Sequence, residues 1–289
     1  MRILILGHTG KIGSYIFNKL IETKHELISL GRSKSKCDIY YDFESDEGDL
    51  SGLEKLKIDL VINAIGKLPK HKANKSEYFN ANINYIKTIK KYLNQELEII
   101  QLSTIAVYGE QIVDRAVKES DRVNPKNNYA LTKLKAEKFI TDNFKKYWIF
   151  RIPPVYKDFD DEIFYKRIII NRLLEVNFNG DKQEHSYCSL DRIMEVIRVG
   201  CISAKLPYGI YNVADIESFS VRKIKSHFKN HSLIKIPVSD RFFLICRDVF
   251  RFLRIYYFSE KINEIYYKTC VSNLYCTKKL QKYIEYENQ

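Results

Sequence analysis

A short apolar run that breaks into three evenly spaced glycines constrains this chain more than any other stretch. Residues 2–6 read RILIL, the continuous apolar pattern of a strand buried on both faces. Gly7, Gly10 and Gly13 follow, with His8, Thr9, Lys11 and Ile12 between them, and then the helical pattern SYIFNKLIETK. Glycines at a strand-to-helix turn let backbone approach a pyrophosphate, and the helix N-terminus favours its charge. Gly7, Thr9, Gly10, Lys11, Ile12 and Gly13 are therefore candidate dinucleotide-binding residues. A tight turn holding no ligand is the alternative.

The next elements repeat the pattern. Residues 26–30 (ELISL) predict a second strand, ending in Gly31, Arg32 and Ser33. In a dinucleotide fold an acid at that point takes the ribose hydroxyls of NAD, whereas an arginine accommodates the 2′-phosphate of NADP. Arg32 and Ser33 thus favour NADP, with NAD as the alternative. A third short strand precedes Asp42 and Phe43, which are candidate cofactor-binding residues, and a helix is expected over 51–57. The run Asp59 to Asn63 predicts another buried strand, opening into Ala64, Ile65 and Gly66, small enough to pass close to a cofactor. A long helix over 77–93 carries Asn80 and Asn82, and a strand over 97–102 delivers Ser103 and Thr104 at its C-terminal end. Ligands of open parallel sheets bind at such strand ends.

Thr104 lies 25 positions before a Tyr-x-x-x-Lys pair, Tyr129 and Lys133. Residues four apart share one helix face, so phenol and ammonium are expected to point the same way. A nearby cation favours the phenolate, which would make Tyr129 a proton donor or acceptor near neutral pH, with Thr104 steadying a substrate oxygen.

Composition narrows the partners. The chain of 289 residues is 45% hydrophobic, with 11 glycines and 6 prolines, which suits a globular protein with a substantial core. Its formal net charge of +12 suits an anionic ligand, but the lysines are dispersed, and no nucleic-acid partner is expected. The 6 cysteines show no Cys-x-x-Cys and no histidine at ligand spacing, so no metal is expected and reduced thiols of a cytoplasmic protein are the simple reading. The chain opens on a strand rather than a signal peptide, and no uncharged apolar run reaches membrane-spanning length.

In order, GHTGKIG, NAIG, STIAVYG and YALTK resemble the extended short-chain dehydrogenase/reductase family of nucleotide-sugar epimerases, dehydratases and reductases. The resemblance implies an α/β fold: a Rossmann-type doubly wound parallel sheet with a smaller C-terminal substrate-binding lobe. It divides the chain into a nucleotide domain over 1–157, rejoined by 185–215, and a lobe drawn mainly from 158–289. The resemblance adds Asn63, Asn82 and Ile152 to the cofactor-facing set, together with Ala64, Ile65, Gly66, Tyr129 and Lys133. It implies Thr104, Tyr129 and Lys133 as catalytic, and it allows a homodimer.

Ile105 and Ala106 stand where the family's dehydratases carry proton-transferring groups, which disfavours dehydration. An NADPH-dependent reductase of a keto group on a nucleotide-linked deoxysugar is the first reading. An NAD-dependent nucleotide-sugar 4-epimerase is the second, and a non-catalytic dinucleotide sensor or scaffold is a third of another class.

The later match is looser. The strand WIFRI (148–152) leads into Pro153, Pro154, Val155 and Tyr156, with Lys157 in place of the family's glycine. Residues 179–181 predict a turn. His185 replaces an arginine that contacts phosphate in the family, and it reads as a surface residue. A helix from Arg192, a strand over 209–213, a helix over 218–228 and a closing helix over 275–283 complete the set. In 241–258 four arginines alternate with aromatic residues. Packing of the apolar side onto the lobe is the preferred reading, and peripheral contact with an anionic membrane is the alternative.

Overall fold

The computed structural model describes residues 1–43, 45, 47–67, 75–93, 96–110, 114–159, 163–164, 169–171, 174–178, 182–227 and 234–284. Residues 179–181, read above as a turn, lie outside that set.

The first strand, β1 (Arg2–Leu6), leads through the glycine turn into helix α1 (Lys11–Leu20). β2 (Glu26–Gly31), β3 (Ile39–Asp42), β4 (Glu47–Gly48) and β5 (Leu60–Asn63) follow. Then come helices α2 (Lys75–Phe79) and α3 (Tyr85–Lys90), strand β6 (Glu98–Thr104), helix α4 (Asn128–Asn143) and strand β7 (Lys146–Ile152). The strand Gly209–Asn212 joins these in one sheet of order 209–212, β7, β6, β5, β1, β2, β3, β4. All neighbours are parallel except β4 on β3.

Alternation along each strand sends side chains to opposite faces. Ile3 and Ile5 join Ile16, Ile62, Trp148 and Phe150 on one side, while Leu4 and Leu6 join Leu30, Ile86, Ile89 and Ile140 on the other. Both faces are thus covered, which explains why the strands read as unbroken apolar runs. Register places Leu6 beside Asn63, and Thr104 beside Ile152. The loops that follow β1, β5 and β6 therefore emerge side by side at the sheet's C-terminal edge.

Several elements differ from expectation. The helix over 51–57 is only a 3₁₀ turn, Leu53–Leu56, closed by Lys57 at φ 46°. The long helix spans α2 and α3 with a π-turn, Asn80–Asn84, between them. The closing helix shrinks to Lys278–Gln281, because Tyr275 forms a bridge with Val117 instead. Ser189 caps the helix that begins at Leu190, its hydroxyl accepting from Arg192 N at 3.1 Å. His185 is buried, contrary to the surface reading, with the Asn273 amide 3.4 Å from its Nδ1.

The 241–258 stretch departs most. It forms helix Asp240–Phe252 and the start of helix Tyr256–Thr269, and much of its apolar side faces solvent rather than the lobe.

Candidate active site

The glycine turn is closed by Gly10 N donating to Gly7 O at 3.0 Å, with Gly7 at φ 78°. Helix α1 starts at Gly10 with no side chain capping its first N–H groups, so they remain available to an anion. A Cβ at Gly13 would lie 2.2 Å from Gly7 O and 2.8 Å from Gly7 C. Those are backbone atoms and cannot rotate away. Gly13→Ala is therefore expected to destabilise the fold by about 1–3 kcal/mol or more, seen as a lower melting temperature. An unchanged melting temperature would rule this packing out.

Arg32 and Ser33 leave the end of β2 beside this turn, where Gly7 N donates to Leu30 O at 3.2 Å. Ser33 O accepts from Lys36 N and Cys37 N, folding the Arg32–Cys37 segment into a compact loop with Arg32 exposed. Asp38 ties that loop down, accepting from Ser29 N at 2.8 Å and Ser29 Oγ at 2.7 Å. Asp42 and Phe43 are half-buried at the end of β3, and the Phe43 ring meets Tyr85 edge-on at 5.4 Å.

Ala64 and Ile65 are half-buried and Gly66 exposed at the mouth of β5. Asn63 turns inward: its amide donates to Tyr85 OH and to Gln101 Oε1, while its Oδ1 accepts from Ile65 N at 3.1 Å. It holds the loop rather than reaching the edge. Asn82 behaves alike. Within the π-turn its Nδ2 donates to Thr132 Oγ1 at 2.9 Å and its Oδ1 accepts from Lys67 N at 3.0 Å. Ile152 packs in the core. All three residues expected to face the cofactor are buried.

Thr104 ends β6 and caps the 3₁₀ turn Ile105–Tyr108, accepting from Ala106 N at 3.2 Å. Asn127 caps α4 by accepting from Ala130 N at 2.9 Å, so Tyr129 sits in the first turn, half-buried. The Thr104 hydroxyl lies near enough to the Tyr129 phenol to favour its ionised form. Lys133, one turn further on, is buried and donates to Ile65 O at 3.1 Å and Leu102 O at 3.0 Å. It thereby clamps the β5 loop to β6.

Electrostatics correct one expectation. Burial pushes the Tyr129 phenol up, the Thr104 hydroxyl opposes this, and Tyr78, edge-on at 6.5 Å, adds to it. The phenol is held protonated rather than made acidic, because burial outweighs the Thr104 contribution. Lys133 itself is lowered to about 8 by burial, with Glu137 opposing.

Sequence reasoning missed the layer beneath. Glu137, one further turn along α4, accepts from Ser103 Oγ and from Arg151, whose Nη2 lies 2.8 Å away. The Arg151 guanidinium stacks over the Tyr108 ring at 4.8 Å, and Tyr108 OH donates to Asn212 Oδ1 at 2.7 Å. The four-residue step from Tyr129 through Lys133 to Glu137 was the available signal.

Sheet order, glycine turn and the Thr104–Tyr129–Lys133 cluster define a Rossmann-type protein of the short-chain dehydrogenase/reductase class. Within it, the chain belongs to the family described as RmlD substrate binding domain, whose profile matches residues 1–177. It is similar to dTDP-4-dehydrorhamnose reductase of Salmonella typhimurium, 30% identical over 159 residues, 54% of this chain and 52% of that one. The chain thus spans about half the length of the curated relatives it matches. Among solved structures it resembles the UDP-glucuronic acid 4-epimerase of Bacillus cereus in complex with NAD (TM-score 0.66, 21% identity, covering 83% of this chain and 87% of that). It also resembles the dTDP-4-dehydrorhamnose reductase of Bacillus anthracis in complex with NADP (TM-score 0.61, 20% identity, 84% and 85%). At these identities the likeness is one of fold.

Proposed function

We propose that this protein is an NADPH-dependent reductase of a keto group on a nucleotide-linked deoxysugar. The observation that carries the reading is the meeting of Thr104, Tyr129 and Lys133 at the sheet edge reached by the glycine turn. A dinucleotide fits the residues present. Gly7, Gly10 and Gly13 add no side chains of their own to the turn, α1 offers uncapped N–H groups, and Arg32 with Ser33 offer donors to a 2′-phosphate. Asp42, Phe43, Ala64, Ile65 and Gly66 would flank it. When bound, the reduced nicotinamide supplies hydride to the substrate carbonyl.

The chain's own part is proton delivery and orientation. Tyr129, kept protonated by burial, donates its proton to the oxygen that gains charge. Thr104 orients the phenol and the same oxygen, and Lys133 fixes the loop over α4 while presenting positive charge. A lobe drawn from 158–289 holds the sugar nucleotide, with 185–215 returning to the nucleotide domain, and the enzyme works in the cytoplasm. The similarity to a dTDP-4-dehydrorhamnose reductase supports this class of substrate.

The 4-epimerase reading draws on the fold likeness to an epimerase with NAD, while Arg32 in place of an acid argues against it. A titration separates them. Purified protein with NADPH and a panel of 4-keto nucleotide sugars is expected to consume reduced nicotinamide with at least one member. Conversion of a 4-hydroxy nucleotide sugar without added cofactor, by protein that carries NAD through purification, would establish the epimerase instead.

A further inference from the structure

A hairpin of two helices carries most of the large apolar side chains that the described residues leave exposed. Helices Asp240–Phe252 and Tyr256–Thr269 are joined by a turn in which Arg254 has φ 58°. They pack on each other, with the Phe250 and Phe258 rings stacked at 5.5 Å. Asn263 ties the pair to the body, its Nδ2 donating to Glu110 Oε2 at 3.1 Å, just beyond the turn that Thr104 caps.

On the first helix Phe242, Ile245, Val249 and Phe252 recur at steps of three and four residues, so they form one face. Each is at least half exposed, and Phe252 reaches 88%. Leu253 and Tyr257 extend this surface round the turn. A stripe of this size on a soluble fold marks a contact surface.

Charge selects the occupant. Exposed Arg251 and Arg254 bracket Phe252 and Leu253, while the nearby Asp248 carboxylate is held by Arg247 at 2.8 Å. Two-fold pairing of this tip with a second copy would bring arginines against arginines. Apolar side chains at the apex, arginines whose stems can lie along them, and tyrosines behind match a phosphate-bearing lipid interface instead. Among the described residues no helix is long and apolar enough to cross a membrane, so the contact is with its surface.

We propose that the tip of this hairpin docks the protein onto an anionic lipid surface, with Phe252 and Leu253 in the acyl boundary and Arg251 and Arg254 at the phosphates. The test is sedimentation of the full chain with vesicles of phosphatidylcholine alone or mixed with phosphatidylglycerol. Two arginines at an anionic surface should favour the mixed vesicles by about tenfold or more. Phe252→Ser/Leu253→Ser should abolish sedimentation, and Arg251→Glu/Arg254→Glu should remove the preference for phosphatidylglycerol. Lys138→Glu/Lys145→Glu, an equal charge change on α4 and the connection after it, should leave it intact. All four substituted tip residues are exposed, and circular dichroism checks that each variant folds. Failure of the parent protein to sediment with either vesicle would overturn the proposal, and so would an equal loss in the Lys138/Lys145 control. A dimer in light scattering that Phe252→Ser/Leu253→Ser dissolves would assign the face to a second copy and also overturn it.

Discussion

Tyr129→Phe is expected to lower turnover about 10²–10⁴-fold, the range supplied by a positioned proton donor, while NADPH affinity stays nearly unchanged. The substitution keeps the ring that meets Tyr78 and removes only the hydroxyl near Thr104. Because burial raises the phenol, its acid form is present throughout the neutral range, and its titration does not limit activity there. Lys133 does. A lysine lowered to about 8 is charged below that pH and loses its proton as pH rises through it. The expected kcat/KM is therefore level on the neutral side and falls above about pH 8. Steady-state rates across that range check both parts. A Tyr129→Phe enzyme with undiminished turnover would remove the phenol from the mechanism, and a plateau running unbroken to the titration of free lysine would remove the role given to Lys133.

How much of this was legible in the sequence depends on how local each cause is. The runs RILIL and DLVIN could be read because a strand covered on both faces carries apolar side chains on both, as the centres of β1 (3–6) and β5 (60–62) do. The shared face of Tyr129 and Lys133 follows from helix geometry alone. The acidity of Tyr129 does not, since it depends on burial by residues such as Thr104 and Tyr78, which lie on other elements. The π-turn at Asn82 was hidden for the same reason, its amide partner being Thr132, on α4. His185 looked like a surface residue because its neighbour Asn273 is remote in sequence. The 241–258 stretch shows an amphipathic pattern with two apolar sides. Pattern alone could not say which side the following helix covers, nor that Arg254 reverses the chain between them.

Arg151→Met should produce the largest loss of stability, about 3–5 kcal/mol, the usual penalty for stripping one partner from a buried ion pair. Arg151 and Glu137 are both buried, and the guanidinium reaches the carboxylate through Nη2 at 2.8 Å and through Nε at 3.1 Å and 3.3 Å. Methionine conserves much of the volume over the Tyr108 ring but leaves the Glu137 carboxylate with only the Ser103 hydroxyl among these partners. Removing the charge as well, in Arg151→Met/Glu137→Met, should recover most of the loss, since an apolar pair of similar volume is often neutral relative to the ion pair it replaces. The shift in the midpoint of urea unfolding across the two single variants and the double variant measures this coupling. If the double variant is as unstable as the sum of the singles, the pair is not coupled and the network does not act as a unit. Its bearing on function follows from chain order. Ser103 precedes Thr104 and Glu137 lies one turn after Lys133, so the same carboxylate braces both strand and helix at the site. Arg151→Met should therefore lower kcat even under conditions where the protein remains folded, and the double variant should restore stability more completely than it restores turnover.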